Sequence, residues 1–392
     1  MNPVPRLKTY RGPALLSYGF RPFFFLGATY AAVAVAIWVA FFRDEIALPI
    51  VFAPRDWHVH EMLFGYLSAA ITGFLLTAIP NWTGRLPLQG ASLLLLVGVW
   101  FAGRIAMAFS AHLGWFAAAA IDCAFLVLVA GVAGREIFAG SNWRNFKILL
   151  PVTALSLANI GFHIEAHVAG IAVFATRIGI AAILMLIMLI GGRIIPSFTH
   201  NWLVRSNPGR LPVPFGKFDA LAITVSAAAL VLWIVLLEGW AVGAALFGAG
   251  ILQLLRLARW AGDRTAADPL VVVLHVGYAF VPLGFVLMAL AAVGAVQPSA
   301  GLHAWMVGAA GILTLAVMTR ATLGHTGSQL VANTATQAIY AAVILAALTR
   351  IAAALMPAWT TALIHVSAFA WIAAFGGFAV FYAPLLFGHR RH

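Results

Sequence analysis

The residues best suited to chemistry in this sequence are histidines and carboxylates that interrupt long apolar runs. The densest group is Trp57-His58-Val59-His60-Glu61, at the start of a run that ends shortly before Arg85. Ionisable groups are costly in lipid or packed protein, and there they usually mark a functional site. This stretch is therefore the first candidate site.

The spacing of these residues limits what they can bind together. On a helix, His58 shares a face with Glu61, whereas His60 points about 200° away from His58. The two imidazoles cannot easily chelate one ion from the same helix. One of them can ligate a haem iron or copper while the other, or Glu61, orients it. The alternative hypothesis is that these residues only cap and hydrate the start of the helix.

Two further runs contain candidate metal ligands. His163 and His167 are four residues apart, so both can face one metal ion from a single helix. His303 heads a later run, where a buried neutral histidine with one hydrogen bond is the alternative. The candidate metal ligands are thus His58, His60, His163 and His303.

Other ionisable residues in apolar runs have less specific surroundings. His275 lies in one run, and Arg320 and His325 lie near the end of another. Arg320 has the chemistry to bind a haem propionate, a quinone head group or a lipid phosphate. Asp122 is a candidate proton-path residue because carboxylates inside a membrane usually have a function. For arginines at the ends of runs, we expect side chains that extend to the membrane surface; these are Arg21, Arg104, Arg177 and Arg193.

The amino-acid composition of the chain indicates what kind of secondary structure positions these residues. The 392 residues are 63% hydrophobic and 9% charged, whereas soluble domains contain about 25% charged residues. The sequence therefore predicts an all-α polytopic membrane protein. Its net charge of +12 comes from Lys and Arg scattered between apolar runs, which indicates topology and not nucleic-acid binding. The single cysteine, Cys123, excludes an internal disulfide and a CxxC motif.

Twelve apolar runs are each long enough to cross a membrane as a helix. Their predicted bounds are Phe20–Phe42, Asp56–Ile79, Ala91–Ala111, Gly114–Phe138, Phe146–Gly170, Thr176–Phe198, Asp219–Glu238, Trp240–Arg259, Pro269–Gly294, Gly301–Leu323, Ala332–Ala354 and Thr361–Leu385. Most Lys and Arg fall on one side of the membrane if both termini are cytoplasmic, as the positive-inside rule requires.

The chain is predicted to divide at its longest polar stretch. We expect a first six-helix half at residues 1–200, including a short cytoplasmic arm, then a cytoplasmic linker at 201–217 and a second six-helix half at 218–392. No sequence repeat relates the two halves. This topology places His58, His60, His163 and His303 in the outer part of the membrane and His275 and His325 near its inner boundary.

Several motifs together resemble the NnrS family. They are Gly19-Phe20-Arg21-Pro22-Phe23-Phe24, Trp57-His58-Val59-His60-Glu61-Met62-Leu63-Phe64-Gly65, Pro80-Asn81-Trp82-Thr83-Gly84-Arg85, Gly191-Gly192-Arg193-Ile194-Ile195-Pro196-Ser197-Phe198-Thr199, Leu274-His275-Val276-Gly277-Tyr278 and the segment from Leu315 to Gly327. The resemblance implies a polytopic protein of the bacterial inner membrane that contains haem b and copper and takes part in denitrification and protection against nitric oxide. Among candidate cofactor-binding residues, these positions resemble the family's motifs: His58, His60, Glu61, His163, His275, His303, Arg320 and His325.

Three functional hypotheses remain open from the sequence. The first is a haem- and copper-binding protein that handles nitric oxide or iron-nitrosyl species, with helix-bundle imidazoles as axial ligands. It includes an oxidoreductase that takes electrons from a quinol or another donor. The second is a transporter of copper, haem or an iron complex in which the histidines form stations along a path. The third is a structural partner of a respiratory complex. In all three hypotheses the protein lies in a lipid bilayer.

Overall fold

Twelve helices long and apolar enough to cross a membrane form most of the chain in the computed structural model, which describes residues 10–141 and 143–389. They are α1 Phe20–Phe42, α2 Pro54–Thr83, α3 Gly90–Ala108, α4 Trp115–Ala139, α5 Phe146–Ala169, α6 Phe174–Ser206, α7 Lys217–Leu236, α8 Trp240–Arg264, α9 Pro269–Ala292, α10 Pro298–Thr326, α11 Thr334–Leu355 and α12 Pro357–Phe387. No strand occurs in the described part of the chain. The all-α polytopic prediction is confirmed.

The positions of the termini stay a prediction, and most of the expected N-terminal arm lies outside the described residues. The helix bounds agree with the predicted runs at most ends, with one clear exception. Helix α6 continues beyond Phe198 through a polar segment to Ser206. It ends where Asn207 precedes Pro208, because a residue before proline is disfavoured in helical conformation. Polar residues therefore extend this helix beyond the apolar run.

Three of the twelve helices contain a π-helical segment, in which one extra residue is accommodated in a turn. These segments are Glu61–Leu67 in α2, Ile187–Gly191 in α6 and Ala304–Gly311 in α10. Such bulges are rare and occur frequently at functional sites. The first begins directly after His60, within the most chemically rich stretch of the sequence.

Helices α2 and α10 have the same construction. Each begins with a proline in its first turn and has a short α-helical segment that ends at a histidine, His60 or His303. The π-helical segment follows directly in both. Each helix ends at a threonine followed by a glycine with positive φ, Gly84 at 69° and Gly327 at 80°. This correspondence was not recognised in the sequence, where we found no repeat between the halves.

The chain forms two compact units that are not consecutive halves. Unit 1 contains Met1–Gly179, Met318–Gln329 and Phe375–His392, and unit 2 contains Ile180–Val317 and Leu330–Ala374. The predicted division at residues 201–217 concerned the order of the helices along the chain and stays a prediction.

Within unit 1, Arg21 secures the end of the last helix. Its side chain is buried, and its Nη1 donates hydrogen bonds to the carbonyls of Leu386 at 2.8 Å and Gly388 at 2.7 Å. Carbonyls in the last turn of a helix have no partner within the helix. The prediction that Arg21 extends to the membrane surface is therefore wrong, because these carbonyls bind its guanidinium inside the unit.

Within unit 2, Arg256 is fully buried at the centre of a polar network. Its guanidinium donates to Asp219 Oδ1 at 3.1 Å, to the Met188 carbonyl at 3.0 Å and to the Tyr278 hydroxyl at 2.9 Å. Met188 belongs to the π-helical segment of α6. The arginine thus neutralises a carboxylate and binds a carbonyl of this irregular segment.

Candidate metal centre

A buried polar cluster lies inside unit 1 and draws side chains from all of its first five helices. We call it the polar cluster; its members are Tyr30, His60, Glu61, Arg104, Asp122, Asn159 and His163. Tyr30 comes from α1, His60 and Glu61 from α2, Arg104 from α3, Asp122 from α4, and the last two from α5. Residues far apart in the sequence therefore converge on one site.

Three members of the polar cluster have the geometry of a metal-binding group. One ligand atom each from His60, Asp122 and His163 lies within 4.8 Å of the others. Asp122 Oδ2 is 3.2 Å from Nε2 of His60 and 3.1 Å from Nε2 of His163. All three residues are buried, with His60 at 0% exposure. Two imidazoles and one carboxylate form a ligand set suitable for iron, copper or zinc.

The hydrogen bonds of His60 define the protonation that its ring requires. Nδ1 is 2.8 Å from Glu61 Oε1, while Nε2 is 3.1 Å from Asn159 Oδ1 and close to Asp122 Oδ2. The Asn159 amide nitrogen donates to Asp122 at 2.9 Å, which fixes its oxygen toward His60. Both ring nitrogens therefore face oxygen acceptors, whereas a neutral imidazole carries only one N–H. The ring needs either a second proton or a cation at Nε2.

Arg104 connects the two carboxylates of the polar cluster. Its Nη1 donates to Glu61 Oε2 at 2.5 Å, and its Nη2 donates to Asp122 Oδ1. The Tyr30 hydroxyl donates to the same Glu61 oxygen. With neutral imidazoles, two carboxylates and one guanidinium leave one negative charge in the polar cluster. The expectation that Arg104 extends to the membrane surface is wrong, because this buried negative charge holds it inside.

Two glycines provide the space that Arg104 and Asp122 occupy. A Cβ atom on Gly65, in the π-helical segment, would lie 2.6 Å from Arg104 Nη1 and 3.0 Å from Glu61 Oε2. A Cβ on Gly103 would lie 3.2 Å from Asp122 Oδ1. The indole nitrogen of Trp100 donates to the Gly65 carbonyl at 2.9 Å. Close packing therefore fixes the Arg104 guanidinium at Gly65 and the Asp122 carboxylate at Gly103.

Aromatic rings cover the imidazoles of the polar cluster. Phe52 stacks on His60 with ring centroids 5.9 Å apart, and Phe162 and Phe64 approach the same ring at 5.2 Å. The rings of His60 and His163 are 5.0 Å apart. Apolar rings exclude water, which strengthens every electrostatic interaction inside the site.

The structure brings together only some of the histidines predicted as metal ligands. His60 and His163 meet, and Glu61 joins them through His60 and not through His58. The ring of His58 stacks on Trp38 at 4.3 Å instead. The predicted shared face of His58 and Glu61 is not used, because Glu61 follows His60 directly at the start of the π-helical segment and bonds to that ring.

His167 does not join His163 at one site. It is exposed, and its ring stacks on Trp115 with centroids 4.1 Å apart. The four-residue spacing placed both imidazoles on one side of α5, but His163 is directed into the polar cluster while His167 lies near the helix end. The expectation that this pair faces one metal ion is therefore wrong.

Two predicted histidines, His275 and His303, belong to unit 2 and are not members of the polar cluster. Nδ1 of His303 donates to the Ser299 carbonyl at 2.6 Å, and this hydrogen bond orients the ring. His275 is buried, and its Nε2 is 2.8 Å from the Thr199 hydroxyl. Neither belongs to a group of three metal-binding side chains among the described residues.

The remaining predicted residues lie at the end of α10, in unit 1. His325 packs against Tyr18 and Phe20, with ring centroids 5.6 Å and 5.4 Å away. Arg320 is half-buried on the same helix, about one and a half turns earlier. Neither residue contributes to the metal-binding group.

Three members of the polar cluster were missed in the sequence as site residues. Asn159 precedes His163 by four residues and therefore lies on its helix face, which is a signal that would have found it. Arg104 had no partner identifiable from the sequence, although it follows Gly103 within an apolar run. Tyr30 carried no signal at all. Asp122 was recognised as a candidate, and the structure supplies its partners.

The sequence is similar to a known protein family. The model of a family described as NnrS protein matches residues 14–390, nearly the whole chain. No curated protein matches the sequence.

Proposed function

We propose that this chain, which belongs to the NnrS family, binds copper in the polar cluster and haem b elsewhere, and that it thereby handles nitric oxide or iron-nitrosyl species. Membership of that family suggests a nitric-oxide-related membrane protein. The twelve apolar helices make it a multi-pass membrane protein. Its location in the bacterial inner membrane and its role in denitrification or nitrosative stress are parts of this proposal.

The observation that carries the copper proposal is the environment of His60. Both of its ring nitrogens face oxygens, and the polar cluster has one negative charge when its imidazoles are neutral. A copper ion between His60, Asp122 and His163 would satisfy both conditions. The Glu61 carboxylate would then hold Nδ1–H of His60, an arrangement common around metal-bound histidines.

The residues around this group have separate tasks in the proposed site. Arg104 and Asn159 hold Asp122, so that its Oδ2 stays directed at the two imidazoles. Phe52, Phe64 and Phe162 keep water from the site, while nitric oxide, which is small and weakly polar, can enter from the lipid. Copper bound there would supply a centre that binds nitric oxide or exchanges an electron.

For haem b, the best-supported ligand is His303. Its ring is oriented by the Ser299 carbonyl, and it precedes a π-helical segment as His60 does. We therefore propose that His303 would hold the haem iron. If the protein is an oxidoreductase, a quinol is the proposed electron donor. His58, His275, Arg320 and His325 stay predictions as cofactor-binding residues.

Metal and haem content of purified variants tests the proposal. The wild-type protein, produced with ample copper and haem, should contain stoichiometric copper and a reducible haem absorption band. His60→Ala and His163→Ala should lose the copper and keep the haem, and His303→Ala should show the reverse. His167→Ala is the matched control, because this histidine is exposed on the same helix as His163.

Two outcomes would contradict the assignment. Unchanged copper in both His60→Ala and His163→Ala would remove the metal from the polar cluster. If the purified wild-type protein contained neither copper nor haem, the proposal would be wrong, and the second proton on His60 would take the place of the metal. Copper uptake into cells without bound haem would instead favour the transporter hypothesis.

A further inference from the structure

A cavity of about 630 Å³ lies in unit 1 at a distance from the polar cluster, with which it shares no residue. It is bounded by the last turns of α2, the loop that follows α2, and the last turns of α4. The loop belongs to the motif Pro80-Asn81-Trp82-Thr83-Gly84-Arg85, which the proposed function does not use. The cavity therefore needs its own explanation.

The walls of the cavity are apolar and its mouth is charged. Leu76, Ile79 and Val132 line the walls, and Arg85, Arg135 and Glu136 line the mouth. Leu76 and Ile79 are buried in the protein, as expected for a pocket that opens between packed helices. A ligand that fills this cavity must be amphipathic.

The mouth carries a surplus of positive charge. Glu136 accepts hydrogen bonds from Arg85 Nε at 2.5 Å and from Arg135 Nε at 3.0 Å. One carboxylate thus faces two guanidinium groups, which leaves one positive charge. The side chains of Arg85 and Arg135 are 46% and 67% exposed, so both can reach a ligand from outside. The complementary head group is an anion.

The backbone around the mouth is well defined. Gly84 adopts a left-handed conformation, with φ of 69°, and ends α2. The Thr83 hydroxyl donates to the Ile79 carbonyl at 2.9 Å and accepts from the Arg85 backbone N–H at 3.3 Å. These hydrogen bonds fix the backbone where Gly84 and Arg85 line the cavity.

We propose that this cavity binds an anionic phospholipid. Its phosphate lies between Arg85 and Arg135, and one acyl chain follows Leu76, Ile79 and Val132. Arginine binds phosphate through several parallel hydrogen bonds. The cavity lies where two membrane-spanning helices end, the depth of a lipid head group, and the sequence predicts that this is the cytoplasmic side. A neutral quinone would leave the surplus charge unused.

Native mass spectrometry of the full-length, delipidated protein tests this assignment. The protein is titrated with phosphatidylglycerol and phosphatidylcholine of identical acyl chains, and the wild type should prefer phosphatidylglycerol. Arg85→Gln and Arg135→Gln should each weaken that preference about fivefold, and Glu136→Gln should strengthen it about fivefold, since each changes the charge at the mouth by one unit. Arg43→Gln is the control, because Arg43 pairs with Glu45 outside the cavity.

A second variant tests the walls independently of charge. Ile79→Trp should fill the cavity and weaken binding of both lipids, whereas the exposed arginine substitutions leave the helix packing intact. Equal binding of the two lipids by the wild type would overturn the proposal. So would shifts of the same sign in Arg85→Gln and Glu136→Gln, or displacement of phosphatidylglycerol by ubiquinone, which would make the cavity a quinone site.

Discussion

The charge of the polar cluster should control its affinity for copper, in a direction that simple damage to the site would not produce. With neutral imidazoles, the wild-type cluster has a charge of −1 from Glu61, Asp122 and Arg104. Glu61→Gln changes this charge to zero, and Arg104→Met changes it to −2. Both variants keep the proposed ligands. The affinity for copper(I) should therefore be highest in Arg104→Met, intermediate in the wild type and lowest in Glu61→Gln.

The magnitude follows from Coulomb's law. For a monovalent ion about 6 Å from the altered charge, with an effective dielectric constant of about 20, each unit contributes about 3 kcal/mol. That difference corresponds to roughly a hundredfold change in the dissociation constant per step. Without copper, Arg104→Met should also unfold more easily, by about 3–5 kcal/mol, because two buried carboxylates lose the guanidinium that they share. Added copper should recover more stability in this variant than in the wild type.

The measurement is competition with a chromophoric copper(I) chelator, together with thermal unfolding with and without copper. The double variant Arg104→Met/Glu61→Gln restores a charge of −1 while it still lacks the arginine. Its affinity should therefore return close to that of the wild type, and a weaker affinity would indicate that geometry, and not charge, is responsible. If all four proteins bound copper equally, the metal would not lie in this cluster.

Two further predictions concern packing and buried charge. Gly65→Ala should destabilise the protein by about 1–3 kcal/mol, because the added methyl group would lie 2.6 Å from Arg104 Nη1 and the packing must shift. Gly98→Ala, whose Cβ meets no atom within 4 Å, is the control and should leave the melting temperature unchanged or slightly higher. Arg256→Met should destabilise the protein by about 1–3 kcal/mol because buried Asp219 loses the closer of its two arginine partners and keeps only Arg259 at 3.6 Å; a melting temperature equal to that of the wild type would contradict this, and Arg256→Met/Asp219→Asn should recover part of the loss.

The fold could be predicted from the sequence because lipid leaves few structural choices. Backbone groups in the membrane must form hydrogen bonds within the segment, so each long apolar run becomes a helix. The prediction was incomplete where polar residues continue a helix, as in α6 beyond Phe198, and where a π-helical segment adds a residue. Hydropathy reports neither feature, because a helix can continue after its apolar residues end and a π-helical segment leaves the apolar run unchanged.

The candidate site could be predicted only in part. The chemistry of His60, Glu61 and His163 was sufficient to select them, because ionisable groups in apolar runs are rare. The error at Arg104 arose because depth in the membrane does not specify which helix face points inward. His167 shows the same limitation, since its spacing from His163 is suitable for a metal but its position near the helix end leaves it exposed.

The π-helical segment Glu61–Leu67 has a consequence for the geometry of α2. An α-helix turns about 100° per residue, so one additional residue rotates everything before it relative to everything after it. The segment therefore sets the direction in which His60 points around the helix axis, independently of the turns between Ser68 and Thr83. A chain with one residue fewer here would keep its hydropathy and its span, yet its imidazole would be directed toward a different neighbouring helix.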